Sequence, residues 1–188
     1  LAVTLLVVVV GQQYGQVSAH LASFAPHVTI GCRGRALGTG DAVLTEPDPL
    51  AGLRDLARQA HAAGLKKIVG DVLIDTRLFE PAEGTGSGPS RVTPIQVNDN
   101  LVDFVITPTE PGKRANVRHR PEALAIRVDA QVETVDEKET TSIQVDSPSE
   151  GNFVVRGRIA AKRKPLVRTH DVDDPASFAR TLLVEALG

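Results

Sequence analysis

Aromatic side chains are scarce in this chain. It has no Trp, no Met, one Tyr and five Phe, so that aromatics make up only 3% of the residues. A core must therefore be built from Val, Leu, Ile and Ala, and a hydrophobic content of 41% supplies enough of them to exclude wholesale disorder. Basic charge is not in excess either: 21 Lys and Arg stand against 23 Asp and Glu, a net charge of −2. With no surplus of cations to neutralise a phosphate backbone, no nucleic-acid partner is expected. The single cysteine, Cys32, has no partner for an internal disulfide. Long apolar runs are missing too. Leu1–Val10 is apolar, but its ten residues are too few to span a bilayer, so no membrane span is expected. It also lacks the basic start and small-residue cleavage pattern of a signal peptide. Its Val content suits a buried strand, and periodicity alone leaves a buried helix open. The first residue is Leu rather than Met, which is expected of a fragment or a processed chain.

What is present reads as an α+β fold, mostly antiparallel strands with a few helices, arranged as two small nested domains. The length of 188 residues suits one ordinary domain or two small ones. Val28–Cys32 reads as a short strand among turn glycines. Asp48-Pro49 is a helix start, because Asp caps free amides and Pro needs no N–H at the first position. Leu53, Leu56, Ala57 and Ala60 then recur at three- and four-residue spacing, and Gly64 stops the helix, giving Pro49–Ala63. Ile68–Ile74 follows as a strand with a bulge at Gly70. Glu80–Ser90 is loop, with nothing in it to pack. Leu101–Thr107, Ile143–Val145 and Phe153–Ile159 are strands. Ala123–Val135 alternates, with Leu124, Ile126, Val128, Ala130 and Val132 on one face. Asp174-Pro175 repeats the helix start, and Phe178, Leu182 and Ala186 share a face of the closing helix. Strands and helices in that order give α+β rather than an alternating βα fold.

The residues that usually carry catalysis are not grouped. Neither Ser-x-x-Lys nor Lys-Thr-Gly occurs. Gly86-Ser87-Gly88 sits in a soft loop rather than at a strand-to-helix turn. His20, His27, His61, His119 and His170 lack paired ligand spacing, so no metal site is expected. His170-Asp171-Val-Asp173-Asp174 reads as a solvated acidic turn leading into a helix cap. The run Arg156, Arg158, Lys162, Arg163 and Lys164 reads as an exposed strand edge, with contact to an anionic polymer as the alternative. No phosphate-binding glycine motif opens a helix, and no cofactor is expected.

Taken in order, the segments resemble one family. Gly38-Thr-Gly40-Asp41-Ala-Val-Leu-Thr45 is similar to the Gly-Gly-Gly-Asp-Pro-x-Leu-Thr turn of class C low-molecular-mass penicillin-binding proteins, the D-alanyl-D-alanine carboxypeptidase/endopeptidases. That family follows the turn with a helix and then with Gly-Ile/Leu-x-x-Ile-x-Gly-x-x-x-x-Asp-x-Ser/Thr-x-Phe. Gly64-Leu65, Ile68, Gly70, Asp75, Thr76 and Phe79 resemble it here. Asn98, Asn100, the strand Leu101–Ile106 and the turn Pro108–Gly112 resemble the next segment, and Asp174-Pro175 resembles the return to the catalytic domain. Leu1–Tyr14 resembles the helix after Ser-x-x-Lys more loosely.

The resemblance implies a peptidase domain interrupted by a long insertion, with Ser-x-x-Lys before it and Ser-x-Asn and Lys-Thr-Gly after. Residues 1–44 would be a remnant of the peptidase domain and its connection. Residues 45–188 would be the insertion, with a small β-rich subdomain nested at about 115–165. The implied reaction is attack by Ser on the penultimate D-Ala carbonyl and hydrolysis of the acyl-enzyme. No catalytic residue of that reaction is assigned to this chain. The resemblance places Thr76, Phe79 and Glu80 at the edge of the substrate cleft. The plainer reading of Phe79 and Glu80 is a strand-end plug and a surface carboxylate. The implied partner is the peptidoglycan stem peptide, bound through the parent enzyme outside the cytoplasm. A stand-alone binding module, docking cell-wall polymer or a partner protein through its exposed strands or the Arg156–Lys164 edge, is the alternative. Without its partner strands, Leu1–Val10 would also be a surface for self-association.

Overall fold

The computed structural model describes residues 5–7, 48–68, 71–84 and 91–188. The expected turns and strand before Asp48, the bulge at Gly70 and the Gly86–Gly88 stretch lie outside those residues. The chain divides into two compact units, Leu1–Asn100 with Asp174–Gly188, and Leu101–Asp173. The second is inserted into the first, and the fold is α+β.

In the first unit, β1 (Leu5–Val7) runs parallel to β2 (Val72–Ile74), with Leu5 opposite Val72. This resolves the middle of the Leu1–Val10 run as strand. Helix α1 spans Ala51–Ala62 and buries the expected Leu53, Leu56, Ala57 and Ala60. It starts two residues later than Asp48-Pro49 suggests. Leu50 occupies the cap, and the Asp48 carboxylate accepts the Leu50 N–H at 3.0 Å instead of capping the first turn. Gly64, at φ +94°, ends the helix as expected. Its N–H bonds to the His61 carbonyl at 2.9 Å, and the Leu65 N–H bonds to that of Ala60 at 3.1 Å.

The strand after α1 is shorter than Ile68–Ile74, covering only Val72–Ile74. The loop that follows is not wholly irregular. Ala82–Glu83 (β3) pairs antiparallel with Arg91–Val92 (β4), an element too short to leave a periodic signal. The closing helix α2 (Pro175–Leu187) is capped by Asp174, which accepts the N–H groups of Ala176 and Ser177, both at 3.0 Å. Its buried face is Ala179, Leu182 and Leu183 rather than Phe178, Leu182 and Ala186, because the helix packs against both α1 and β2.

The second unit holds two three-stranded sheets. One has the order β10-β5-β6, from Leu166–Asp171, Leu101–Thr107 and Asn116–Arg120, all antiparallel. The other has the order β7-β9-β8, from Arg127–Val135, Asn152–Ala160 and Ser142–Ser149. Strand β9 is central, parallel to β7 and antiparallel to β8. Val102, Phe104 and Ile106 from β5 are fully buried, as are Val155 and Ile159 from β9. Phe104 and Phe153 join the sheets with ring centroids 5.3 Å apart, and Phe153 meets the His170 ring at 5.4 Å. Two of the six aromatic residues, Phe104 and Phe153, thus meet at this contact, where such a pair adds about 1 kcal/mol beyond burial.

Two expectations fail in this unit. The alternating run Ala123–Val135 becomes strand only from Arg127, and Leu124 is 85% exposed rather than sharing the inner face. His170 and Asp171 are the last residues of β10 rather than part of an acidic turn.

Candidate functional site

The turn after β2 carries all three cleft-edge residues expected from sequence, Thr76, Phe79 and Glu80. Asp75 is the residue that shapes it. Its Oδ1 accepts the Arg77 N–H at 3.0 Å, a local turn that Asp forms readily. The Arg77 guanidinium then closes on both carboxylate oxygens, at 2.9 Å and 2.7 Å. This fork fixes the backbone on either side of Thr76. The three expected residues all face solvent, as do Leu73 and Leu78. Leu73, Leu78 and Phe79 are 51%, 46% and 43% exposed, so the strand end is a small apolar ledge bordered by Glu80 and Arg77. Phe79 is not a buried plug.

Chemically the described turn offers exposed apolar and polar side chains. Thr76 makes no hydrogen bond among the described residues, so nothing positions it as a nucleophile. Among the described residues no three His, Cys, Asp or Glu side chains converge on a metal position. His119 and His170 each engage a nearby carbonyl through Nδ1, at 3.0 Å and 2.8 Å.

The electrostatics of the turn make a testable pH signature. Arg77 beside Asp75, chiefly through the side-chain hydrogen bond, holds the Asp75 carboxyl below the usual carboxylate range. A lowered folded pKa means stabilisation that is present above the unfolded value, about 3.9, and lost as pH falls through the folded value. Asp75→Asn should therefore lower the Tm at pH 7 by roughly 2 °C, and by progressively less as the pH falls below the unfolded value through the folded one. A pH-independent loss would show that the charge plays no part.

A second feature was legible only as a resemblance. Asn98, Asp99 and Asn100 are consecutive left-handed residues, with φ of 52°, 54° and 60°. Asn and Asp tolerate this region better than other residues with a Cβ. Asn100 is buried, and its Nδ2 donates to Thr93 Oγ1 at 2.9 Å and to the Arg91 carbonyl at 3.4 Å. The Thr93 hydroxyl passes the chain on to the Ile95 carbonyl. Asn100 therefore ties β4 to this turn, a positioning role. Partial burial pushes the Asp99 carboxyl up, the opposite direction to Asp75. Thr93 gave no sequence signal, because its role exists only once Asn100 is folded against it.

The basic run along β9 and the turn after it is partly neutralised. Arg156 pairs with Asp146 at 3.1 Å, Arg158 with Glu139 at 3.8 Å, and Lys162 with Glu137 at 2.9 Å. Arg163 and Lys164 alone in the run have no ion pair among the described residues.

Two crystal structures of penicillin binding protein 4 (dacB) from Haemophilus influenzae share the fold, one complexed with a β-lactam (TM-score 0.50) and one without (TM-score 0.55). Each is 21% identical over 72% of this chain. The chain spans 29% and 32% of their lengths, about a third. The D-Ala-D-Ala carboxypeptidase 3 (S13) family pattern matches residues 35–188, and the chain belongs to that family. No curated protein matches it. No described helix is long and apolar enough to cross a membrane.

Proposed function

We propose that this chain is the non-catalytic portion of a serine-type D-Ala-D-Ala carboxypeptidase/endopeptidase that acts on peptidoglycan stem peptides outside the cytoplasm. The observation that carries the reading is the family match over residues 35–188 in a sequence with neither Ser-x-x-Lys nor Lys-Thr-Gly. In this reading the nucleophile, its lysine and the oxyanion hole come from residues outside the chain. The β2 turn forms one edge of the cleft. Phe79 offers apolar contact, and Thr76 and Glu80 offer polar contact to the stem peptide. These residues bind and orient, and no proton transfer is assigned to them.

The test has two parts. The gene around this sequence should encode Ser-x-x-Lys before Leu1 and Ser-x-Asn after Gly188, and finding neither would sink the proposal. In the full-length enzyme, Phe79→Ala should raise KM for a stem-peptide substrate about fivefold and leave kcat within about twofold, the pattern of lost uniform binding. Unchanged KM would remove Phe79 from the cleft edge. The alternative of a stand-alone module docking anionic polymer through Arg156–Lys164 is weakened by the ion pairs along that edge, which leave only two of its five cations without an ion pair among the described residues.

A further inference from the structure

The two edges of the β7-β9-β8 sheet are treated differently. The edge of β7 is covered by residues 112–115. Gly112 N–H bonds to the Thr134 carbonyl at 2.8 Å, Thr134 N–H to that of Lys113 at 2.8 Å, and Ala115 N–H to that of Val132 at 2.9 Å. Arg114 bridges Glu133 in the same register. Among the described residues strand β8 has no such cover. It is bonded on one side only, to β9, and no other backbone hydrogen bond involves residues 142–146 among the described residues.

An open edge is a template for another strand, and proteins normally defend it with Lys, Pro or an inward-pointing charge. Ser142–Asp146 has none of these. Ile143 and Val145 point inward and are half-buried, Gln144 is neutral and exposed, and the Asp146 charge is held by Arg156. Pairing is limited at the far end, where the register shifts between Asp146 and Ser149 and Pro148 removes a donor.

We infer that this edge pairs with the same edge of a second copy of the chain, antiparallel about a two-fold axis at Gln144. The sequence is self-complementary in that register. Ile143 of one copy lies opposite Val145 of the other, twice. Ser142 lies opposite Asp146, and Gln144 opposite itself, so no like charges meet directly. Moving the centre to Asp146 would set two carboxylates against each other. The two sheets become one six-stranded sheet, its inner face continuous across the axis. The contact is isologous and closes at two copies. Five paired residues make it weak and concentration-dependent.

Sedimentation velocity on the chain from about 1 µM to about 1 mM tests this. Wild type should pass from monomer to dimer. Gln144→Arg and Gln144→Glu each place like charges face to face across the axis, and each should weaken the dimer about fivefold. Mixed in equal amounts, the two variants should recover the wild-type association, because the charges then attract. Wild type that stays monomeric throughout would overturn the inference. So would a dimer that both variants leave intact, which would belong to another surface such as Leu1–Val10. Failure of the mixture to recover would overturn it as well.

Discussion

Gly157→Ala should destabilise the nested β unit by about 3–5 kcal/mol, a large share of the roughly 5–15 kcal/mol that holds an ordinary domain folded. Gly157 sits in the middle of β9 with φ +130°, a region closed to residues with a Cβ. A Cβ there would lie 2.0 Å from the Ser142 carbonyl oxygen and 3.2 Å from the Ile143 Cα. Both are backbone atoms of β8, so no side chain can swing away to make room. Strand β9 cannot retreat either, because β7 is bonded along its other side from Arg127 to Val135. The substitution must therefore break the β8–β9 ladder. Urea unfolding should show a fall in the midpoint. A loss under about 0.5 kcal/mol, the range of ordinary surface changes, would show that the strand crossing is wrong.

Phe104→Ala should cost about 3–5 kcal/mol for a different reason. Phe104 is fully buried on β5 and meets the Phe153 ring in a tilted contact at 5.3 Å. In a chain with only five Phe, this contact has no aromatic reserve, and the aliphatic neighbours cannot fill the cavity. Phe104→Leu should recover most of the loss, since it restores volume but not the ring pair. Phe79→Ala is the matched control. It removes the same side chain from an exposed turn and should change stability by less than about 0.5 kcal/mol. A large stability effect at Phe79 would mean that the ledge is part of a core rather than a contact surface.

Sequence reading reached the parts of the fold where local pattern and burial agree. Helix α1 was visible through Leu53, Leu56, Ala57 and Ala60, and its stop through Gly64. Strands β5 and β9 were visible because their inner residues are fully buried. What stayed hidden depends on partners distant in sequence. Strand β6, Asn116-Val-Arg-His-Arg120, carries three basic or imidazole side chains and no clean alternation, yet it is a strand because β5 lies beside it from Asp103 to Thr107. Strand β10 was missed for the same reason. The pairing of Arg156 with Asp146 follows from the β8–β9 register, which no local pattern encodes. At the β2 turn, the family motif pointed to Thr76, Phe79 and Glu80. It did not show that Arg77 would fork onto Asp75 and set their backbone.

The central claim is that this chain borders a peptidase cleft and holds none of its chemistry. Intact-mass spectrometry after incubation with a labelled penicillin tests it most directly. The account predicts no covalent adduct on the chain itself and one adduct on a longer protein that adds Ser-x-x-Lys before Leu1 and Ser-x-Asn and Lys-Thr-Gly after Gly188. An adduct on the chain alone would contradict it, because a serine or threonine within these 188 residues would then be the nucleophile.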